Sequence, residues 1–217
     1  MDVIIPAGKA RLNGSLGLAQ GASTVVLFAH GSGSSRQSPR NRFVAQKLND
    51  AGLATLLFDL LTGEEEAVDV RTAQHRFNIS LLAERLVHVT QWALQNESTR
   101  QLRVGYFGAS TGAAAALVAA AQLARDIGAV VSRGGRPDLA DEALPLVRAP
   151  TLLIVGGEDD VVIGLNEQAK AQMCCDVKVE IVPGATHLFE ESGALERVAQ
   201  LAADWFIHQT TGKRRSL

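Results

Sequence analysis

The sequence lacks most of the features that mark secreted or membrane proteins. Its only cysteines are the neighbours Cys174 and Cys175, which cannot cross-link distant parts of the chain, so a reducing, cytoplasmic environment is expected. The longest uninterrupted apolar run, Ala113 to Ala121, is under half of the roughly 20 residues that span a bilayer, and no membrane span is expected. The N-terminus shows no basic segment followed by a long apolar stretch, so no secretory signal is predicted.

The charged residues also lack an excess of one sign. The chain has 21 lysines and arginines against 23 aspartates and glutamates, a formal net charge of -2. Because the sequence has no long basic stripe that could bind phosphates, nucleic-acid binding is not expected. The expected partner is a small-molecule substrate. The 217 residues, 47% of them hydrophobic, predict a single domain over residues 1–212 with a short basic tail, 213–217. Whether the chain forms a homo-oligomer is left open.

Apolar segments rich in branched residues alternate with longer segments of helical spacing. Several of these short segments are apolar at every position, which is typical of strands covered on both faces, so a mostly parallel sheet between helices is predicted. A hairpin is expected around Asn13-Gly14. The predicted strands are Thr24 to Ala29, Ala54 to Phe58, Leu102 to Phe107, Ala129 to Val131, Thr151 to Val155 and Val177 to Val182. The predicted helices are Asn41 to Asp50, Arg71 to Gln95, Thr111 to Arg125, Val162 to Cys174 and Ala194 to His208.

The most informative motif is Gly108-Ala109-Ser110-Thr111-Gly112, placed between a predicted strand and a helix rich in alanine. This Gly-x-Ser-x-Gly pattern predicts a sharp turn that exposes the Ser110 hydroxyl above the sheet. Gly108 and Gly112 have no side chains, which allows the strand and the helix to approach closely. Ser110 is therefore the candidate nucleophile.

A serine nucleophile needs a histidine base and a carboxylate that orients the histidine. Asp159 follows a buried strand and His187 follows the next one, so the order Ser110, Asp159, His187 is the order found in α/β-hydrolases. The neighbouring acid Asp160 is the competing carboxylate. It is expected instead to cap the helix that begins near Val161.

The glycine-rich segment after the first central strand, His30-Gly31-Ser32-Gly33, can expose backbone N–H groups to a developing oxyanion. The amides of Ser32 and Thr111 are the candidate oxyanion donors. A phosphate-binding loop is disfavoured because position 36 is arginine rather than a third glycine and no Gly-Lys-Ser/Thr follows. His30 is expected to brace this loop rather than to act as the base.

Charged residues elsewhere allow simpler interpretations. Glu64-Glu65-Glu66 is interpreted as a solvated loop, and no pair of histidines has the spacing of a metal site. Arg133 and Arg136, which follow a predicted core strand, are different. They either form structural pairs with an acid such as Asp138 or bind an anionic group of the substrate, and both alternatives stay open.

These motifs, together with Pro183 to Glu190, resemble the dienelactone hydrolase family of the α/β-hydrolase superfamily, and especially its small serine-containing members. The resemblance implies the α/β-hydrolase fold without a large cap domain, and a cofactor-free hydrolase. The family's namesake enzymes have cysteine where this chain has Ser110, so the resemblance does not imply dienelactone as the substrate. Similar segments also occur fused to phosphoribosyltransferase domains.

Together, the motifs and the resemblance predict a serine hydrolase of carboxylic esters or related acyl or lactone compounds. Ser110, His187 and Asp159 would form the triad and an acyl-enzyme intermediate. Two alternatives are an acyltransferase that uses the same triad and a catalytically silent protein of this fold that binds a ligand.

Overall fold

A parallel sheet with one antiparallel edge forms the centre of the molecule. The structure is a computed structural model, and it describes residues 1–210; the predicted tail 213–217 lies outside them. Eight strands of the described residues form one sheet in the order β1-β2-β4-β3-β5-β6-β7-β8. The strands are β1 Asp2–Ala7, β2 Ala10–Gly17, β3 Thr24–Ala29, β4 Ala54–Phe58, β5 Arg103–Ala109, β6 Ile127–Arg133, β7 Thr151–Gly156 and β8 Val177–Val182.

Helices follow most of the parallel strands and cover both faces of the sheet. The helices α1 and α6 pack together on one face, whereas α3, α4 and α5 lie on the other with a 3₁₀ segment. Their bounds are α1 Pro39–Asp50, α2 Gly63–Thr72, α3 Ile79–Gln95, α4 Thr111–Gln122, α5 Asp160–Gln172 and α6 Ala194–Thr210, with the 3₁₀ segment at Pro137–Leu146. No helix within residues 1–210 is both long and apolar enough to cross a bilayer.

The predicted hairpin exists, but its turn is not at Asn13-Gly14. The turn lies at Gly8-Lys9, where Gly8 has φ of 63°, and β1 pairs with β2 from Ala7 opposite Ala10 onward. Gly14 sits inside β2, where an added Cβ would lie 2.9 Å from the Ile5 side chain. The glycine at position 14 therefore serves close packing rather than a turn.

The long helix predicted over Arg71 to Gln95 is wrong, because the chain forms two helices there. Helix α2 ends at Thr72, and the next residue, Ala73, takes a left-handed conformation. Helix α3 begins after Asn78, whose side chain accepts from the Leu81 amide. The acidic run from residue 64 to 66 is the first turn of α2 rather than a loop. Thr62 and Glu65 form a reciprocal capping box at its start.

The carboxyl ends of the parallel strands define one edge of the sheet. β5, β7 and β8 each run into the segment that carries one candidate site residue, and β3 runs into the glycine-rich segment. Only the 3₁₀ segment and its flanking turns separate β6 from β7, so no large cap covers this edge. β8 pairs with β7 alone and lies at the end of the strand order.

Candidate active site

Ser110 lies on a strained turn between β5 and α4. Its φ of 49° and ψ of −120° fall in a region that residues with side chains rarely occupy, and such strain persists only where the surroundings enforce it. Two backbone hydrogen bonds hold the turn: the Ser110 amide donates to the Arg133 carbonyl at 3.3 Å, and the Arg136 amide donates to the Ser110 carbonyl at 3.1 Å. The half-buried Ser110 side chain is thereby placed at the strand ends.

The glycines that flank this turn allow a backbone approach that alanine would prevent. A Cβ on Gly108 would collide with the backbone of Ala113, and one on Gly112 would collide with the carbonyl oxygens of Ala29 and His30. Helix α4 therefore begins directly against β3 and β5. The predicted turn, with glycines in the role expected for close approach, is present.

His187 and Asp159 meet across the ends of β8 and β7. The His187 Nδ1 lies 2.7 Å from Asp159 Oδ2, and the Asp159 side chain is 17% exposed. Asp159 occupies the N-cap position of α5 but makes no capping hydrogen bond, because its carboxylate faces the imidazole. The expectation that Asp160 caps this helix is wrong: Asp160 is the first helical residue and is exposed.

The segment after β6 lies between Ser110 and His187. Gly134 has φ of 51°, and a Cβ there would lie 3.0 Å from the His187 carbonyl oxygen and 3.6 Å from its Cε1. The Arg136 amide of this segment and the carbonyl of Arg133, the last residue of β6, both contact the Ser110 backbone. Within residues 1–210, no hydrogen bond joins the Ser110 hydroxyl to His187. Such contacts are often long until a substrate is bound.

Ser32 and Thr111, the two candidate oxyanion donors, lie side by side. Their hydroxyl oxygens are 2.9 Å apart, which joins the loop after β3 to the first residue of α4. Neither backbone amide donates to an acceptor within the described residues. Because Thr111 opens a helix, its free N–H also carries the positive end of the helix dipole.

An open cleft adjoins this loop. Its volume is about 650 Å³, and its walls come from the segment between β3 and α1 and from the end of β4 with the start of α2. Ser32, Arg36, Arg40, Asp59 and Glu66 are among its lining residues. The cleft is therefore large enough for a small organic molecule and is lined by charges of both signs.

His30 braces the glycine-rich loop, as predicted. The Leu60 amide donates to His30 Nε2 at 3.0 Å, so Nδ1 carries the proton and donates to the Gly31 carbonyl at 3.0 Å. Burial lowers the pKa of His30, although the Gly31 carbonyl and nearby acids oppose this. A neutral imidazole with both nitrogens engaged is not free to act as a base.

Asp69, which was not predicted from the sequence, supports the other side of the same loop. Its buried carboxylate accepts from the amides of His75 and Arg76 at 2.7 and 3.0 Å and from Arg76 Nε at 2.7 Å. The Arg76 carbonyl then accepts from the Ser32 hydroxyl at 3.3 Å. The capping box at Thr62 was a sequence signal for the start of α2, the helix that carries Asp69.

Replacement of Asp69 with asparagine is expected to destabilise the fold in a pH-dependent way. Burial alone would raise the pKa of Asp69, but the hydrogen bonds from Arg76 and His75 hold it below its usual range. The ionised carboxylate therefore stabilises the folded state above about pH 4, and this contribution is lost as the pH falls through the lowered pKa. Urea unfolding at pH 7 should show a loss of about 1.5–3 kcal/mol.

The matched control is Glu64→Gln, which alters an exposed carboxylate in the first turn of the same helix. The difference between wild type and Asp69→Asn should shrink as the pH is lowered below about 4. If the two variants have the same unfolding free energy from pH 7 downward, the role assigned to Asp69 is incorrect.

Arg136 and Arg133 have different surroundings in the structure. Arg136 forms a two-pronged pair with Asp138, at 2.9 and 2.7 Å, and this pairing raises its pKa. This contact favours the structural alternative for Arg136. Arg133 is the last residue of β6 rather than a residue after the strand, and its side chain has no acid partner within the described residues.

The sequence comparisons point to one family. A family model described as the dienelactone hydrolase family matches residues 13–210. Proteins of two Mycobacterium tuberculosis strains, provisionally named as phosphoribosyl transferases, are 56% identical over 211 residues, which make up 97% of this chain and 47% of each relative. The chain thus spans about half the length of these curated relatives.

The solved structures agree with the sequence comparisons. A dienelactone hydrolase from Anabaena variabilis is 59% identical, with a TM-score of 0.96 and 97% of each chain covered. Est1E from Butyrivibrio proteoclasticus shares the fold at 16% identity, with a TM-score of 0.80 over 96% of this chain and 98% of that chain. With the strand order and the turn at Ser110, these matches show that the chain is an α/β-hydrolase-fold protein and belongs to the dienelactone hydrolase family.

Proposed function

We propose that the protein is a serine hydrolase that cleaves carboxylic esters or related acyl and lactone compounds through an acyl-enzyme on Ser110. The observation that carries this proposal is the 2.7 Å contact between His187 Nδ1 and Asp159, formed beside the strained turn that presents Ser110. Membership in the dienelactone hydrolase family supports a hydrolase.

In the proposed first step, His187 Nε2 removes the proton from the Ser110 hydroxyl as its oxygen attacks the substrate carbonyl. Asp159 accepts a hydrogen bond from Nδ1 and so holds the imidazole with Nε2 facing the nucleophile. The carbonyl oxygen becomes an oxyanion, to which the free amides of Ser32 and Thr111 donate. Expulsion of the alcohol, protonated by His187, leaves the acyl group on Ser110.

In the second step, water attacks the acyl carbonyl and gives a proton to His187, which then returns a proton to the Ser110 oxygen. The product is a carboxylic acid, and the enzyme is restored. The contact between the Ser32 and Thr111 hydroxyls keeps the two residues that supply the oxyanion donors close together. Preorganised donors of this kind need no rearrangement as charge develops, which is the source of their effect.

The test is treatment with a fluorophosphonate followed by peptide mass spectrometry. The proposal expects one phosphonylated serine, Ser110, together with turnover in a panel of ester, thioester and lactone substrates. Product analysis with and without added alcohol or thiol acceptors separates hydrolysis from acyl transfer. An unlabelled protein without turnover on any of these substrates would favour the ligand-binding alternative.

A further inference from the structure

Asn166 is a polar residue on the buried face of α5, between Val162 and Ala169 on that face. Its side chain is fully buried. The Nδ2 group donates to the carbonyl of Val162, one turn earlier in the helix, at 2.8 Å, and to the carbonyl of Gly135, outside the helix, at 3.1 Å. An amide NH2 has two donors, so the two carbonyls use both. The side chain therefore has one fixed orientation.

The Asn166 amide is a poor source of stability. Its Oδ1 is buried and has no hydrogen-bond partner within residues 1–210. An unpaired buried acceptor costs free energy, which offsets part of what the two donated hydrogen bonds contribute. The clearest effect of this side chain is therefore on geometry, because it holds the Gly135 carbonyl against α5.

Gly135 is the middle of a bridging segment, residues 134–136, that contacts both Ser110 and His187. At one end, the Arg136 amide donates to the Ser110 carbonyl at 3.1 Å. At the other end, a Cβ on Gly134 would lie 3.0 Å from the His187 carbonyl oxygen and 3.6 Å from its ring Cε1. A shift of the bridging segment would therefore move the nucleophile and the base relative to each other.

The middle of the bridging segment is also tightly packed. A Cβ on Gly135 would collide with the Ser132 hydroxyl of β6 and lie 2.7 Å from the Ala113 Cβ of α4. This packing keeps the segment from moving closer to β6 and α4. The hydrogen bond from Asn166 ties the same residue to α5, so the segment is held by three elements.

Helix α5 also carries the carboxylate of the proposed triad. Asp159 is the N-cap residue of this helix, and Asn166 lies seven residues further along the chain, about two helical turns. The bond from Asn166 to Gly135 therefore ties the helix that follows Asp159 to the bridging segment. One buried side chain thus connects the parts of the chain that present all three triad residues.

We propose that Asn166 is a positioning residue of the active site, which acts through the Gly135 carbonyl on the distance between Ser110 and His187. No hydrogen bond joins the Ser110 hydroxyl to His187 within residues 1–210, so the backbone segments that carry them determine this distance. A displacement of about 1 Å can cost on the order of a hundredfold in rate. The inference rests on the proposed function, because it concerns the reaction of Ser110.

The kinetic test is Asn166→Leu, which keeps a similar volume and removes both donors. We expect kcat for p-nitrophenyl acetate to fall by roughly ten- to a hundredfold, and the rate of fluorophosphonate labelling of Ser110 to fall with it. KM should stay close to wild type, because Asn166 does not reach the substrate. Asn166→Ser should show the same split, since its hydroxyl can return to Val162 but is shorter than the amide that reaches Gly135.

The matched control is Thr210→Val, which removes a buried polar group of the same kind far from the site. Thr210 Oγ1 donates to the carbonyl of Phe206, one turn earlier in α6, at 2.6 Å and accepts from Thr24 Oγ1 at 2.7 Å. Thr24 is the first residue of β3, so this contact lies at the opposite edge of the sheet. Thr210→Val should lower the melting temperature, as Asn166→Leu should, but keep the wild-type kcat.

A readout without turnover separates this proposal from the hydrolase function. In protein with ¹³C-labelled histidine rings, the Cε1–H signal of His187, identified by its loss in His187→Ala, should move in Asn166→Leu and stay in place in Thr210→Val. If wild type hydrolyses no ester and is not labelled but this signal moves, the positioning role stands and the hydrolase function fails. If the signal does not move either, both fail.

Two kinetic results would overturn the positioning role. One is a folded Asn166→Leu protein with the wild-type kcat and a lower melting temperature, which is the pattern of a purely structural residue. The other is an equal loss of kcat in Thr210→Val, which would reflect a general loosening of the fold. If Asn166→Leu does not fold, the same comparisons are made with Asn166→Ser.

Discussion

Ester turnover should disappear in Ser110→Ala while the fold is retained. The proposed covalent step uses the Ser110 oxygen, which the strained turn at φ of 49° presents at the strand ends. Losses on the order of 10⁶ in kcat are known for removal of such a nucleophile, so the expected result is turnover at the background rate. Steady-state hydrolysis of p-nitrophenyl acetate measures it.

The control is Ser80→Ala, an exposed serine at the start of α3, which should keep wild-type kinetics. Melting temperatures of both variants should stay close to wild type, because alanine at position 110 removes one half-buried hydroxyl and leaves the backbone contacts of the turn in place. A folded Ser110→Ala protein with full activity would end the serine-hydrolase proposal.

Asp159→Asn is expected to lower kcat by roughly 10⁴, the size of the effect when a triad carboxylate becomes an amide. The asparagine cannot offer the 2.7 Å charged contact to His187 Nδ1, so the imidazole loses its orientation and its developing positive charge loses a partner. KM should change far less than kcat, because Asp159 reaches the substrate only through His187.

Asp160→Asn provides the matched comparison on the adjacent residue. Its carboxylate is exposed at the first position of α5, where a negative charge interacts favourably with the helix dipole. Loss of that charge should cost only about 0.3–1 kcal/mol in stability. Its kcat should be within a few-fold of wild type. If Asp160→Asn is the more damaging change, the triad carboxylate has been assigned to the wrong residue.

Much of this arrangement could be predicted from the sequence because its signals are local. Segments of uniformly apolar residues mark buried parallel strands, and polar residues directly after them must lie at one edge of the sheet. These patterns predicted that Ser110, Asp159 and His187 follow three strands, and they predicted the strand-end position of His30. The glycines at 108 and 112 fit only a close helix–strand approach.

Predictions from the sequence failed where contacts between residues far apart in the chain determine the structure. The sequence predicted a turn at Gly14, but in the structure this glycine packs against the Ile5 side chain. The break between α2 and α3 depends on the Asp69 carboxylate, which accepts hydrogen bonds from the amides six and seven residues further along the chain. The contact between Arg40 and Glu190 also requires the tertiary fold, since 150 residues separate the two in the sequence.

The position of β8 at the end of the sheet has a consequence for how activity is lost. Amide protection in a folded protein depends on local opening, which costs less free energy at an edge than in the centre. β8 has one neighbouring strand and leads to His187, whereas Ser110 follows β5, which lies between β3 and β6. Under mild denaturation, amides of β8 should exchange before those of β5, and the histidine should leave its place while the serine turn is still folded. Inactivation would then precede unfolding and be reversible, since the central strands remain as a template on which β8 can pair again.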